Sequence, residues 1–263
     1  MSDVSATLPL ARPHPAFAPA LDQRARSKPL GVWATVGWST LAFIGLYTVV
    51  IVQIAANVWA GTQVQLPWLV YAMPIGHIVV AAIVIVAIRT AGLPLREYLG
   101  LVSLRHADVW RGIGIGAAAW LGMVILFAVT ALIHNALGGT PSDHSTLFKG
   151  VAEDKWRFLI SMYVLMIIAA PIAEELLFRG LMYRGLAESR LGAAGTIVIT
   201  SIVFGLAHWL GFGWERVVVT GCVGALLGFL RWRTGGTSVP IVAHAATNFM
   251  GAMMLTVMVL MAS

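Results

Sequence analysis

Two adjacent carboxylates, Glu174 and Glu175, follow sixteen residues (158–173) that carry no charge. The local run is Ala-Pro-Ile-Ala-Glu-Glu-Leu-Leu-Phe-Arg-Gly, which puts Arg179 four residues after Glu175 on the same helical face. A charge at the centre of a membrane helix costs about 2.5–3.5 kcal/mol on insertion scales. A pair that only fixed helix packing would need one carboxylate, not two. Pro171, one turn upstream, can kink the helix and free backbone groups toward a polar cavity. Among the seven histidines, His14, His106 and His144 fall in the expected tail or loops, and His134 near a helix end. His77 reads as a hydrogen-bonded packing residue. His208 closes Phe-Gly-Leu-Ala-His, and His244 shares a helical face with Asn248, four residues on.

A buried carboxylate can act as general base on a water, and a histidine can hold that water or shuttle its proton. A second histidine and an amide can donate to an oxyanion. The set therefore suits hydrolysis of an amide bond by activated water. Glu174, Glu175, His208 and His244 could equally ligate Zn²⁺, and spacing leaves both chemistries open. Other intramembrane chemistries fail by absence. There is no His-Glu-x-x-His, and no Asp lies inside an apolar run. Neither Ser161 nor Ser201 sits in Gly-x-Ser-x-Gly. Gly112-Ile-Gly-Ile-Gly116 opens a membrane helix rather than following a strand, so Gly112/Gly116 and Gly224/Gly228 read as close helix-packing sites.

These residues must be positioned by membrane helices. Of 263 residues, 59% are hydrophobic and only 11% charged, and mean hydropathy is +0.86. That excludes a water-soluble enzyme, a disordered chain and a coiled coil. The net charge of +6 points to basic loops on one side of a membrane rather than to nucleic acid. The single cysteine, Cys222, cannot form an intramolecular disulfide. The charge-free runs predict an all-α, polytopic membrane helix bundle of about seven transmembrane helices, in a range of six to eight. The expected spans are 32–58, 67–88, 112–136, 158–183, 193–212, 216–232 and 238–261. Residues 1–31 read as a flexible cytoplasmic tail, residues 89–111 as an interfacial segment, and 32–263 as one transmembrane domain. Twelve Lys and Arg fall on the N-terminal side of the bundle and four on the other, with Arg179 inside a span. The positive-inside rule then puts the N-terminus in the cytoplasm and the C-terminus outside.

Three elements in order resemble the CPBP family, which comprises the CAAX prenyl endopeptidases and bacteriocin-processing or immunity proteins and is also called the Abi family. They are Glu174-Glu175-x-x-x-Arg179, Phe204-x-x-x-His208 and His244-x-x-x-Asn248, and the resemblance spans about 165–250. It implies an intramembrane endopeptidase with a conical polar cavity open to the cytosol, acting on a membrane-associated protein or peptide. By this resemblance Glu174 and His208 position and activate the water. Glu175 supports the site with Arg179 as its ionic partner, and His244 and Asn248 stabilise the oxyanion. The family has been described both as metal-dependent and as metal-independent; the metal-free, cofactor-free form is the expectation taken here. The Ala-, Gly- and Arg-rich composition suits a bacterial inner membrane. A proton-coupled transporter would also use buried Glu and His, but no internal repeat supports one. A non-catalytic scaffold would have no use for the whole polar set. Helical rise puts His208 about 22 Å from the inner end of its helix and His244 about 9 Å from the inner end of its own. Those depths match only if the 193–212 helix is tilted or begins later.

Overall fold

A computed structural model describes residues 29–62, 65–138, 151, 154–209 and 213–261. Most of the expected tail, His14 and His144 lie outside them. Every regular element among the described residues is helical: α1 (Val32–Trp59), α2 (Leu66–Thr90), α3 (Leu95–Tyr98), α4 (His106–Ala136), α5 (Lys155–Leu186), α6 (Gly192–Ala207), α7 (Gly213–Thr234) and α8 (Ser238–Met261). Six of these, all but α3 and α6, are long and apolar enough to cross a membrane. The expected span 193–212 is instead the 16-residue α6, at about 24 Å shorter than the hydrocarbon layer. It stops because its last turn tightens: the His208 amide donates to Gly205 O and the Trp209 amide to Leu206 O. The seventh apolar helix is present but shorter than the six that are long enough to cross a membrane.

Other boundaries moved for local reasons. The helix expected at 112–136 begins at His106, where the Arg105 amide and guanidinium both donate to Asp108. The expected interfacial segment 89–111 is therefore only partly separate. It contributes α3, and its end joins α4. The span expected at 158–183 extends to Lys155, capped by the Asp154 carboxylate accepting from the Arg157 amide. Within α5, Val164–Ala169 and Leu176–Met182 are π-helical and flank the α-helical turn Ala170–Glu175.

Lipid tails offer no hydrophobic drive for helix association, so close packing through small residues must supply it. The most extensive pairs are α1 with α2, α4 with α8, and α6 with α7. Gly112 and Gly116 face Val242, Ala243, Ala246 and Thr247 of α8, and Thr247 Oγ1 donates to Gly116 O at 3.1 Å. Gly224 and Gly228 face Ser201, Phe204 and Ile197 of α6. Both Gly-x-x-x-Gly motifs thus pack as the sequence predicts. The turn between α7 and α8 is buried rather than interfacial. The Thr237 amide donates to Gly100 O (2.8 Å), Thr237 Oγ1 to Leu99 O (2.5 Å) and Ser238 Oγ to Val102 O (2.8 Å).

A Cβ on Gly116 would lie 2.4 Å from the Ala243 carbonyl oxygen, a backbone atom that cannot turn aside, whereas one on Gly114 meets nothing within 4 Å. Gly116→Ala should therefore lower stability by about 1–3 kcal/mol, while Gly114→Ala leaves it unchanged or raised. Thermal unfolding in detergent measures both.

Candidate active site

Neighbouring residues on a helix point about 100° apart, so Glu174 and Glu175 enter different surroundings. Glu175 is fully buried. Its Oε1 accepts from Arg179 NH1 at 2.8 Å and from His244 Nδ1 at 2.9 Å. Arg179, 1% exposed, spends NH2 on Gly224 O at 2.7 Å. The guanidinium also lies 4.9 Å above the Phe204 ring, a cation–π distance. Arg231 of α7 is buried too, with Nε donating to Arg179 O at 2.8 Å and NH1 to Gly235 O. It is therefore not the solvated loop cation that the sequence count takes it for.

Glu174 keeps 15% of its side chain exposed. Its Oε1 lies 3.1 Å from His77 Nε2 of α2, while Oε2 is buried with no hydrogen-bond partner among the described residues. His244 Nε2 lies 3.9 Å from Oε2, too far for a direct hydrogen bond. His208 and Arg216 both interact electrostatically with Glu174. His208 Nδ1 is 2.8 Å from Phe204 O, an obligate acceptor, so Nδ1 carries the proton and neutral His208 offers Nε2 as an acceptor.

Five of the six expected site residues converge here: Glu174, Glu175, Arg179, His208 and His244. Phe204 joins them, its ring 4.8 Å from His208 and 5.9 Å from His244. α6 begins at Gly192 and not later, yet His208 and His244 both come to the Phe204 ring. Asn248 is tied to α5, with Nδ2 donating to Met166 O at 2.9 Å in the first π segment. An amide nitrogen has two hydrogens, so one donor remains.

Three site residues went unread in the sequence. His77 had been assigned to packing, yet it holds the catalytic candidate. Tyr47 of α1 feels the Glu174 charge and donates to Ala207 O at 3.3 Å. Arg216 had been counted as a loop cation. One signal for His77 was present: Pro74-x-x-His77 repeats the spacing of Pro171-x-x-Glu174. In both helices a proline that removes a backbone donor sits one turn before the polar residue.

The donors do not fit a zinc site. Among the described residues, no three His, Cys, Asp or Glu side chains group as a metal would need. Glu175 Oε1 is already shared by a guanidinium and an imidazole. A zinc ion there would also have to sit beside the Arg179 cation.

Residues 156–250, about a third of the chain, match the family model described as Type II CAAX prenyl endopeptidase Rce1-like. The match contains all six expected site residues and bears out the CPBP resemblance of the three motifs. No curated protein and no solved structure matches the chain.

Removing one partner of a buried ion pair strands the other, at about 3–5 kcal/mol. Arg179→Met should destabilise the protein by that order. Adding Glu175→Leu should cost less than the sum of the single changes, because the stranded carboxylate is then gone. Denaturant titration of the purified proteins checks both.

Proposed function

We propose that the protein is an intramembrane endopeptidase of the CPBP type, hydrolysing a peptide bond of a membrane-associated protein or peptide with a glutamate-activated water. The observation that carries this reading is the division of labour between adjacent carboxylates. Glu175 is fully buried and its Oε1 is shared by Arg179 and His244, whereas Glu174 keeps 15% of its side chain exposed, is anchored at Oε1 by His77 and has an Oε2 without a hydrogen-bond partner among the described residues. A carboxylate oxygen held that way among histidines is placed for proton transfer.

In this mechanism the water binds at Glu174 Oε2, oriented by His208 Nε2. Its oxygen attacks the scissile carbonyl carbon as Glu174 takes the proton, and the carbonyl electron pair moves to the oxygen. The remaining N–H of Asn248 donates to that oxyanion, and so does Nε2 of His244, which must then carry a proton on both ring nitrogens because Nδ1 already donates to Glu175. Collapse re-forms the carbonyl and breaks the C–N bond as Glu174 returns the proton to the leaving nitrogen. Every proton stays on the chain's own groups, the water or the products, so no step passes through a metal.

Cleavage of quenched-fluorescent peptides, both farnesylated with a CAAX end and unprenylated, by the purified protein in detergent tests the reading. Glu174→Gln and His208→Ala should each lose about 10²–10⁴-fold in kcat, with folded yield maintained. EDTA should leave wild-type cleavage unchanged. Normal cleavage by both variants would sink the protease assignment, and loss to EDTA restored by Zn²⁺ would sink the metal-free mechanism.

Orientation is tested separately. With Cys222→Ser as background, Arg190→Cys places a thiol at an exposed position just before α6. An impermeant maleimide should label it only after permeabilisation if the N-terminal side is cytoplasmic. Ready labelling of intact cells would invert the topology.

A further inference from the structure

Glu174 can act on a water through Oε2 only if its side chain is held in one orientation. Its side chain has several rotamers, and ordering such a chain costs rotamer entropy that a neighbour must offset. A direct side-chain hydrogen bond on Glu174 comes from α2, ninety-seven residues away in sequence.

We infer that His77 is the positioning residue of the catalytic carboxylate, pinning Glu174 Oε1 to α2 so that Oε2 alone faces the substrate side. The inference rests on the endopeptidase reading for its activity arm and on contacts alone for its stability arm. His77 is 2% exposed, so no bulk water competes for its ring. Nδ1 lies 2.8 Å from Met73 O, which only accepts, so Nδ1 carries a hydrogen and the ring is anchored to its own helix. That leaves Nε2 directed at Glu174 Oε1, and the mechanism needs the shared proton on Nε2, because a Glu174 already protonated could not act as the base. With both ring nitrogens engaged, His77 has one orientation and no capacity left to bind substrate itself. It touches Glu174, not the reacting atoms.

The placement also accounts for α2. Pro74 sits inside this helix and Gly76 lets it approach α1, where a Cβ would come 2.7 Å from the Leu46 side chain. α2 also packs directly on the α5 turn Ala170–Glu175. The family match begins only at residue 156, so His77 lies wholly outside it. The proposal therefore extends the working site to a part of the chain that the three motifs do not cover.

The test measures kcat and KM separately with whichever quenched-fluorescent peptide the wild type cleaves. His77→Ala should lower kcat by roughly 10²-fold, the scale of misplacing a reacting group by about 1 Å, with KM within about twofold. His77→Gln keeps an amide N–H that reaches Glu174, and should recover at least tenfold of that loss. Wild-type kcat in His77→Ala, an equal loss in KM, or a Gln variant no better than Ala would overturn the inference while leaving the protease reading intact. If no peptide is cleaved, the protease reading fails first, and a double-mutant cycle of His77→Ala with Glu174→Gln on Tm in detergent decides the contact. Non-additive Tm shifts support it, and additive shifts overturn it.

Discussion

The ion pair between Glu175 and Arg179 is the contact around which the second half of the bundle is arranged. Neither charge reaches solvent, so each must be answered inside the protein. Arg179 answers Glu175, and its remaining reach ties α5 to the Gly224 carbonyl of α7 and to the Phe204 ring of α6. Glu175 in turn holds His244 of α8. One i, i+4 pair thus joins four helices, in a medium where apolar contacts alone would not choose partners. The price is visible in two buried atoms, Glu175 Oε2 and Arg179 Nε, that have no hydrogen-bond partner. A pair kept at such expense is better explained as scaffolding for a reactive neighbour than as a source of stability.

The irregular course of α5 belongs to the same constraint. A π turn changes the register of the backbone and is found mostly at functional sites. Each π segment of α5 has a carbonyl that accepts from a distant side chain: Met166 O from Asn248, and Arg179 O from Arg231. The turn bearing both glutamates is therefore clamped above and below by α8 and α7. The Asn248 amide has a part in this clamp as well as the oxyanion role that the mechanism gives it.

Charge-free runs, small-residue spacings and the Glu-Glu-x-x-x-Arg run were legible because each is local: length, period and charge all lie within one segment. What escaped depends on tertiary placement. α6 ends before the expected residue 212 because its C-terminal turn closes at His208, and no hydropathy window registers a capping bond. Arg231 looks like any loop arginine until its bond to Arg179 O is seen. His77 is a single polar residue in an apolar helix, and nothing nearby names its partner ninety-seven positions on. The turn before α8 is tertiary in the same way: Gly235 to Thr237 are buried, and Thr237 is bonded to the backbone of Leu99 and Gly100.

The two carboxylates also differ in what surrounds them, and that difference sets their chemistry. Glu175 faces a guanidinium, which cannot give up a proton under any ordinary condition, and an imidazole pinned at one nitrogen. Its bonds therefore persist through a reaction cycle. Glu174 sits among groups that can exchange protons: His77 at 3.1 Å, His244 at 3.9 Å, and His208 within electrostatic reach. A proton taken by Glu174 has alternatives nearby and can be returned without a large rearrangement. In the proposed mechanism the fixed charge of Arg179 organises the site and the histidines exchange its protons, and the 100° between consecutive helical residues puts the two sets of contacts in different surroundings.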